Sequence, residues 1–274
     1  MVGINLMKQQ LSTDNLTIYR AHKKVLQDVG ITLQGGDVIA LLGANGAGKS
    51  TLLSVLSGET DGLTLSEDTT IRINNENLWE LSKEQLAKKR AVLPQSSSLN
   101  FELSVLDVLE MGLYPFPTLG SQQQNELIAK AIALADVIHL RSKSYLQLSG
   151  GEKQRVQFAR VMVQLLAMRT LSDETLYFLL DEPTASLDPK YQQFLLQKLR
   201  QLSKEDIGIL VILHDVNLAA FYCDRLLLLA DQKILCCEEP KVALTEDNLY
   251  RLYGVSGRVV EHPFYPEKCL VVWC

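Results

Sequence analysis

The stretch "GANGAGKS", Gly43 to Ser50, fits the spacing G-x-x-x-x-G-K-[ST]. It stands between "VIALL", a short continuous apolar run, and "KSTLLSVLSG", whose helical spacing stops at Gly58. A strand buried on both faces, then a glycine loop, then a helix points to an α/β fold with parallel strands. In such a loop the glycines let backbone N–H groups turn onto phosphate oxygens. Lys49 then reaches the β- and γ-phosphates, and the Ser50 hydroxyl suits Mg²⁺. Gly43, Asn45, Gly46, Gly48 and Thr51 complete the candidate ATP cradle.

"TLYFLLDE" supplies carboxylates for that cradle. Its apolar run puts Asp181 at the C-terminal end of a strand, the edge where ligands of open α/β sheets bind. Alone, such an acid pair reads equally as a solvated sheet edge. Beside a phosphate loop, Asp181 is suited to the Mg²⁺ shell and Glu182 to a general base facing an attacking water. Gln95 in "VLPQ" and His214 in "VILHD" also follow apolar, strand-like runs. Each has two readings. Gln95 is a satisfied loop amide, or a group that touches Mg²⁺ or orients water. His214 is a satisfied loop imidazole, or a donor to the γ-phosphate.

A second anion-binding feature follows in "LQLSGGEKQR", Leu146 to Arg155. Ser149, Gly150 and Gly151 open a helix there, and free N–H groups and the helix dipole favour a phosphate. One nucleotide does not need two such sites within one chain.

Between and around these motifs the chain reads as follows. Residues 16–42 are strand-rich, with a turn at Gly35–Gly36, and "TIRINNENL" is a further strand and turn. Ser104 caps "VLDVLEMGLY" with Asp107 as its capping-box partner, "PFPTLG" breaks the chain, and "SQQQNELIAKAIALADVIHL" has a helical period. Residues 96–165 thus form a mostly helical insert in a core made of 1–95 and 166–274. After the Asp181 strand, Asp188 N-caps a helix that has Pro189 at its first position, and "IGILVILHD" is the next strand.

Bulk composition restricts the function classes. Of 274 residues 47% are hydrophobic and 22% charged, and the net charge is −5. That balance lacks the basic excess of a nucleic-acid binder. The opening "MVGINLMKQQLSTDN" has no apolar core of signal-peptide length, and "LLLLA" is far short of the ~20 residues that span a bilayer. Any membrane role is therefore expected to be peripheral. The five cysteines show no metal spacing, and Cys236–Cys237 reads as strand, which suits a reducing compartment.

Taken in order, "GANGAGKS", "LPQ", "LSGGEKQRV", "LLDEPTASLD" and "ILHD" resemble the ATP-binding subunit of ABC transporters. The resemblance implies a P-loop NTPase fold with a mostly parallel sheet, an N-terminal antiparallel β region and a helical subdomain. It also implies a head-to-tail homodimer, in which Ser149, Gly150 and Gly151 of one copy bind the γ-phosphate of ATP on the other copy's P-loop. That answers the puzzle of two anion sites. Residue by residue it implies phosphate and Mg²⁺ roles for Lys49 and Ser50, and the lid-loop glutamine in Gln95. Asp181 and Glu182 match the Mg²⁺ aspartate and catalytic glutamate, Ser186 to Asp188 the interface-crossing loop, and His214 the switch histidine. Tyr19, seven residues before Leu26, matches the aromatic that stacks on adenine. Partners implied are integral membrane permease subunits and, indirectly, a substrate-binding protein, at the cytoplasmic face of the inner membrane.

A narrower resemblance lies with ATPases that import iron-siderophores, haem and cobalamin. "RAVLPQSSSLNFELSVLDVLEMGLYPF" has that group's wording. The extension "AMRTLSDETLYFLLDEP", the opening "YRAHKKVL" and the tail "HPFYPEKCLVV" are most similar to hemin import subunits, although "EMGLYPF" replaces a more basic phrase usual there. Phe101 and Leu103 in "LNFEL" are read either as lining a groove for a permease helix or as packing the helical insert. The insert carries no long coiled coil or zinc motif, and the chain holds one cassette. Both features set it apart from soluble ABC ATPases of DNA repair or the ribosome.

Overall fold

In the computed structural model, which describes residues 9–95, 99 and 101–274, the first described elements form an antiparallel hairpin. β1 (Gln10–Arg20) and β2 (Lys23–Gln34) are joined by Ala21 and His22, both with positive φ, the pattern that lets a two-residue turn follow strand twist. β3 (Val38–Leu42) is buried at all five positions and leads through the glycine loop into α1 (Lys49–Leu56). β4 (Leu63–Leu65), β5 (Thr70–Ile73) and β6 (Glu76–Asn77) return to the first hairpin, where β4 and β5 both pair with β1. This is the antiparallel region expected from the family resemblance.

α2 (Lys83–Ala87) and β7 (Arg90–Leu93) follow, then the helices α3 (Val105–Glu110), α4 (Ser121–Leu134) and α5 (Gly150–Leu171). The Ser104–Asp107 capping box forms as read, with Ser104 Oγ accepting the Asp107 N–H at 3.1 Å. α4 is shorter than its apolar period suggests. It ends at Leu134 because Asp136 takes φ 54, and Ile138–Leu140 form a separate short 3₁₀ turn. α5 runs unbroken through position 165 to Leu171, so the helical region and the core share one long helix.

β8 (Leu176–Leu180), α6 (Pro189–Ser203), β9 (Ile207–Ile212), α7 (Val216–Tyr222) and β10 (Arg225–Ala230) complete the main sheet with β11 (Lys233–Glu238). Its order is β11-β10-β3-β9-β8-β7, parallel throughout except for the antiparallel edge strand β11. Cys236 and Cys237 are β11 residues, as read. The chain ends with α8 (Pro240–Ala243), α9 (Glu246–Tyr253) and a separate hairpin of β12 (Gly257–His262) and β13 (Tyr265–Trp273).

Two cores flank the main sheet. Successive residues of a strand face opposite sides, so Phe178 and Leu180 pack with α3–α6, while Tyr177 and Leu179 pack with α1 and the antiparallel sheet. The parallel strands end on one edge, and the loops leaving β3, β7, β8 and β9 meet there. Among the described residues no helix is long and apolar enough to cross a membrane.

Candidate functional site

The glycine loop is shaped by its neighbours as much as by its own freedom. Gly46 and Gly48 have φ of 80 and 104, which L side chains rarely adopt. Gly43 has no such φ, but a Cβ there would collide with the Leu229 carbonyl oxygen of β10. Gly48 is also the N-cap of α1 and gives it no side-chain cap, so the first-turn N–H groups are left for a ligand.

Lys49 is only 6% exposed. Its Nζ donates to the carbonyl oxygens of Gly43 (2.9 Å) and Ala44 (3.0 Å), which holds the ammonium in the cradle. Burial pushes its pKa down, opposed by the nearby Glu182 and Asp181 carboxylates. A cavity of about 340 Å³ opens over this loop, lined by Arg20, Val25, Asn45, Gly46, Gly48, Lys49, Ser50, Thr51 and Glu182. Tyr19 is not part of that lining. Arg20, the next residue along β1, is, and consecutive strand side chains point to opposite faces. The adenine-stacking match of Tyr19 therefore gains no support from the site's geometry, and Arg20 and Val25 line the cavity without any motif that marks them.

Asp181 follows β8, 7% exposed, and its Oδ1 is buried without a hydrogen-bond partner. Burial raises its pKa, partly offset by the hydrogen bond from Ser50 and by the charge of Lys49. A buried carboxylate oxygen without a partner, next to a serine hydroxyl, is a donor set that fits a hard divalent cation.

Glu182 takes φ 48 at the end of β8. Gln95, just beyond β7, donates from Nε2 to Glu182 Oε2 at 2.7 Å. His214, just beyond β9, places Nε2 2.6 Å from Glu182 Oε1. Two residues that are ambiguous in the sequence thus converge on one carboxylate and occupy both its oxygens. The register does this: Leu93 pairs with Leu180 and Leu180 with Val211, so the three strands end side by side.

The Ser149–Gly151 turn sits elsewhere. Ser149 N-caps α5 in a capping box with Glu152, and none of Ser149, Gly150 or Gly151 lines the cavity over the chain's own glycine loop. A Cβ on Gly151 would lie 2.9 Å from the Ser186 carbonyl oxygen, whereas one on Gly150 would meet nothing within 4 Å. The glycine at 151 is thus required by a contact within the chain. Asp188 spends its Oδ1 on the Tyr191 N–H at 3.0 Å, capping α6 as its sequence context suggests. The "LNFEL" pair divides: Phe101 is 74% exposed, while Leu103 packs on the helical core.

Comparison with known proteins bears on the family and the fold. The profile of the ABC transporter family matches residues 26–185. The chain is 46% identical over 263 residues to the Hemin import ATP-binding protein HmuV of Bordetella pertussis, covering 96% of this chain and 98% of the relative. It is 43% identical over 253 residues to the protein of the same name from Pseudomonas fluorescens, covering 92% and 96%. Among solved structures, cbiO1 from Clostridium perfringens, part of the ABC transporter complex cbiONQ, superposes with a TM-score of 0.71 at 25% identity, covering 89% of this chain and 94% of that one. The dimeric cassette MJ0796 shares the fold, with a TM-score of 0.71 at 23% identity over 84% and 98%. With the phosphate loop, the paired acids and the sheet order all in place, the chain belongs to the ABC transporter family and is one of its ATP-binding, ATP-hydrolysing cassettes.

Proposed function

We propose that the chain powers import of hemin: two copies associate head to tail on a membrane permease at the cytoplasmic face of the membrane, and ATP hydrolysis drives transport. The hemin assignment is supported by the names of relatives 46% and 43% identical over nearly their whole length. The head-to-tail pairing is supported by the Ser149–Gly151 turn, which lies outside the cavity over its own glycine loop. The observation that carries the reading is the carboxylate of Glu182, set beside Lys49 and Asp181 and gripped by Gln95 and His214.

ATP entering the cavity offers phosphate oxygens to the free N–H groups of α1 and to Lys49, which exchanges its carbonyl partners for them. Ser50, Asp181 and Gln95 would hold Mg²⁺, which when bound supplies charge neutralisation on the β- and γ-phosphates. Glu182 accepts the proton of the attacking water. Each of its oxygens keeps a further lone pair beside the one Gln95 or His214 engages, so Glu182 can take that proton with both neighbours in place. Where His214 withdraws, its Nε2 is free to donate to the γ-phosphate. Closure against the second copy's Ser149–Gly151 turn supplies donors to the same phosphate from the far side.

Glu182→Gln keeps the shape of the side chain and removes the proton acceptor. ATP affinity is expected to persist while turnover falls by about 10² or more. In vesicles carrying the permease, with chain and ATP inside and the substrate-binding protein with hemin outside, the wild type should load hemin, and the variant should not. Turnover near the wild-type rate in Glu182→Gln would remove Glu182 from this role, and loading of a ferric siderophore or cobalamin instead of hemin would replace the substrate.

A further inference from the structure

One face of α5 touches the segment that starts at Glu182 at three points, spaced i, i+3 and i+4 as one helix face requires. Gly151 lies against the Ser186 carbonyl, where a Cβ would come within 2.9 Å. Gln154 Nε2 donates to the Pro183 carbonyl oxygen at 3.4 Å. The guanidinium carbon of Arg155 lies 4.1 Å from the centre of the Tyr191 ring.

Tyr191 is also the residue whose backbone N–H is capped by Asp188, so its backbone is tied to the end of the loop. Its hydroxyl donates to Asp136 Oδ2 at 3.3 Å, at the corner that ends α4. Arg155 joins the same corner: Nη1 donates to the Asp136 carbonyl at 3.4 Å, and Nη2 lies 3.3 Å from His139 Nε2. The Gly151 contact is only an absence of bulk and the Gln154 bond is long. Among the described residues, the Arg155–Tyr191 stack is the polar contact of best geometry between the two segments.

We propose that Tyr191 is a positioning residue for ATP turnover: by stacking on Arg155 it clamps the Ser149–Gly151 turn to the loop that carries Glu182, so the two move as one body. This rests on the reading above, in which the turn serves the second copy's ATP and Glu182 serves the chain's own. Phosphate captured by the turn in one composite site then pulls on the carboxylate of the other. Tyr191 does not line the cavity over the glycine loop, so its loss should leave nucleotide binding alone and slow the chemical step.

The test is steady-state ATP hydrolysis by the full chain, with thermal unfolding measured alongside. Tyr191→Leu keeps apolar bulk and loses the ring face. It should lower kcat about tenfold, the scale of one partly desolvated cation–π contact, with KM within about twofold. Tyr191→Phe keeps the stack and should retain kcat within about twofold. Arg155→Lys keeps the charge but loses the planar partner, and should reproduce the Tyr191→Leu defect. It also decides the matter if Tyr191→Leu does not fold. Wild-type kcat in Arg155→Lys, or an equal loss in the Phe and Leu variants, overturns the clamp. So does a Tyr191→Leu defect confined to KM. Failure of the underlying reading looks different: Glu182→Gln would then hydrolyse ATP at the wild-type rate whatever the Tyr191 variants do.

Discussion

Glu152 accepts the Ser149 N–H at 2.9 Å and lies 3.2 Å from Lys143 Nζ. The Ser149 N–H above all, then Lys143 and the Ser149 hydroxyl, hold its carboxyl down from 4.5 to about 2. The folded pKa lies below the unfolded one. The charge therefore stabilises the native state above the unfolded value, and that stabilisation is lost as pH falls through the folded value. The window runs from 4.5 down to about 2. Glu152→Gln keeps an acceptor for the Ser149 N–H but carries no charge. Its thermal midpoint should fall less steeply than the wild type's between about pH 5 and pH 3, read from scans at each pH. Parallel slopes for the two proteins would mean that Glu152 titrates as an ordinary exposed acid.

At the scale of elements, the helical region is held together by how closely α3 and the turn after it approach α5. Gly112 in that turn faces the Arg160 carbonyl so closely that a Cβ would collide with it, and Val163 Cβ would stand at 3.0 Å. Because the obstacle is backbone, it cannot rotate away. Gly112→Ala should therefore destabilise the fold by about 1–3 kcal/mol, the usual cost of overpacking. The urea midpoint should drop while the slope stays unchanged. A midpoint equal to that of the wild type would mean that α5 can shift to admit a methyl group. The reason Gly112 is glycine is not visible in its neighbours "EMGLY", because the residue it meets is nearly fifty positions further on.

For the whole molecule, head-to-tail pairing predicts a complementation that a self-contained site cannot show. Gly150 is the place to test it. A Cβ there meets nothing within 4 Å, whereas one at Gly151 lies 2.9 Å from the Ser186 carbonyl oxygen and would disturb the Glu182 loop as well. Gly150→Asp adds a like charge facing the partner's γ-phosphate, a penalty felt in the closed dimer and hardly in the monomer. Lys49→Ala removes the buried cation of the P-loop. When the two variants are mixed, one composite site pairs two damaged halves and the other pairs two intact ones. One occluded nucleotide per mixed dimer is expected, measured after rapid filtration. Loss of ATP binding by isolated Gly150→Asp monomers would place the turn in its own chain's site and refute the pairing.

What the sequence determined by itself is local. The phosphate loop, the Ser104 and Asp188 caps, the buried strands and the Ser149–Gly151 turn each depend on residues within one or two turns of chain, where backbone sterics and capping act. The helical period of residues 121–140 hid the stop at Leu134, because periodicity reports which side chains are buried and not the positive φ of Asp136. The hairpin of β12 and β13 was not legible, since its alternation is weak and half its side chains are exposed. Tertiary structure decided how the polar strand ends meet. Taken singly, the runs around Gln95 and His214 do not pair them with Glu182, and the family resemblance names their roles but not their contacts. Both side chains reach its two oxygens because β8 inserts between β7 and β9 in parallel register, which brings three distant loops to one sheet edge. The same holds for Gly151, whose missing side chain is explained by a carbonyl thirty-five residues away. Residue type is written in the chain, but the distance between two residues far apart in sequence is set only when the sheet closes.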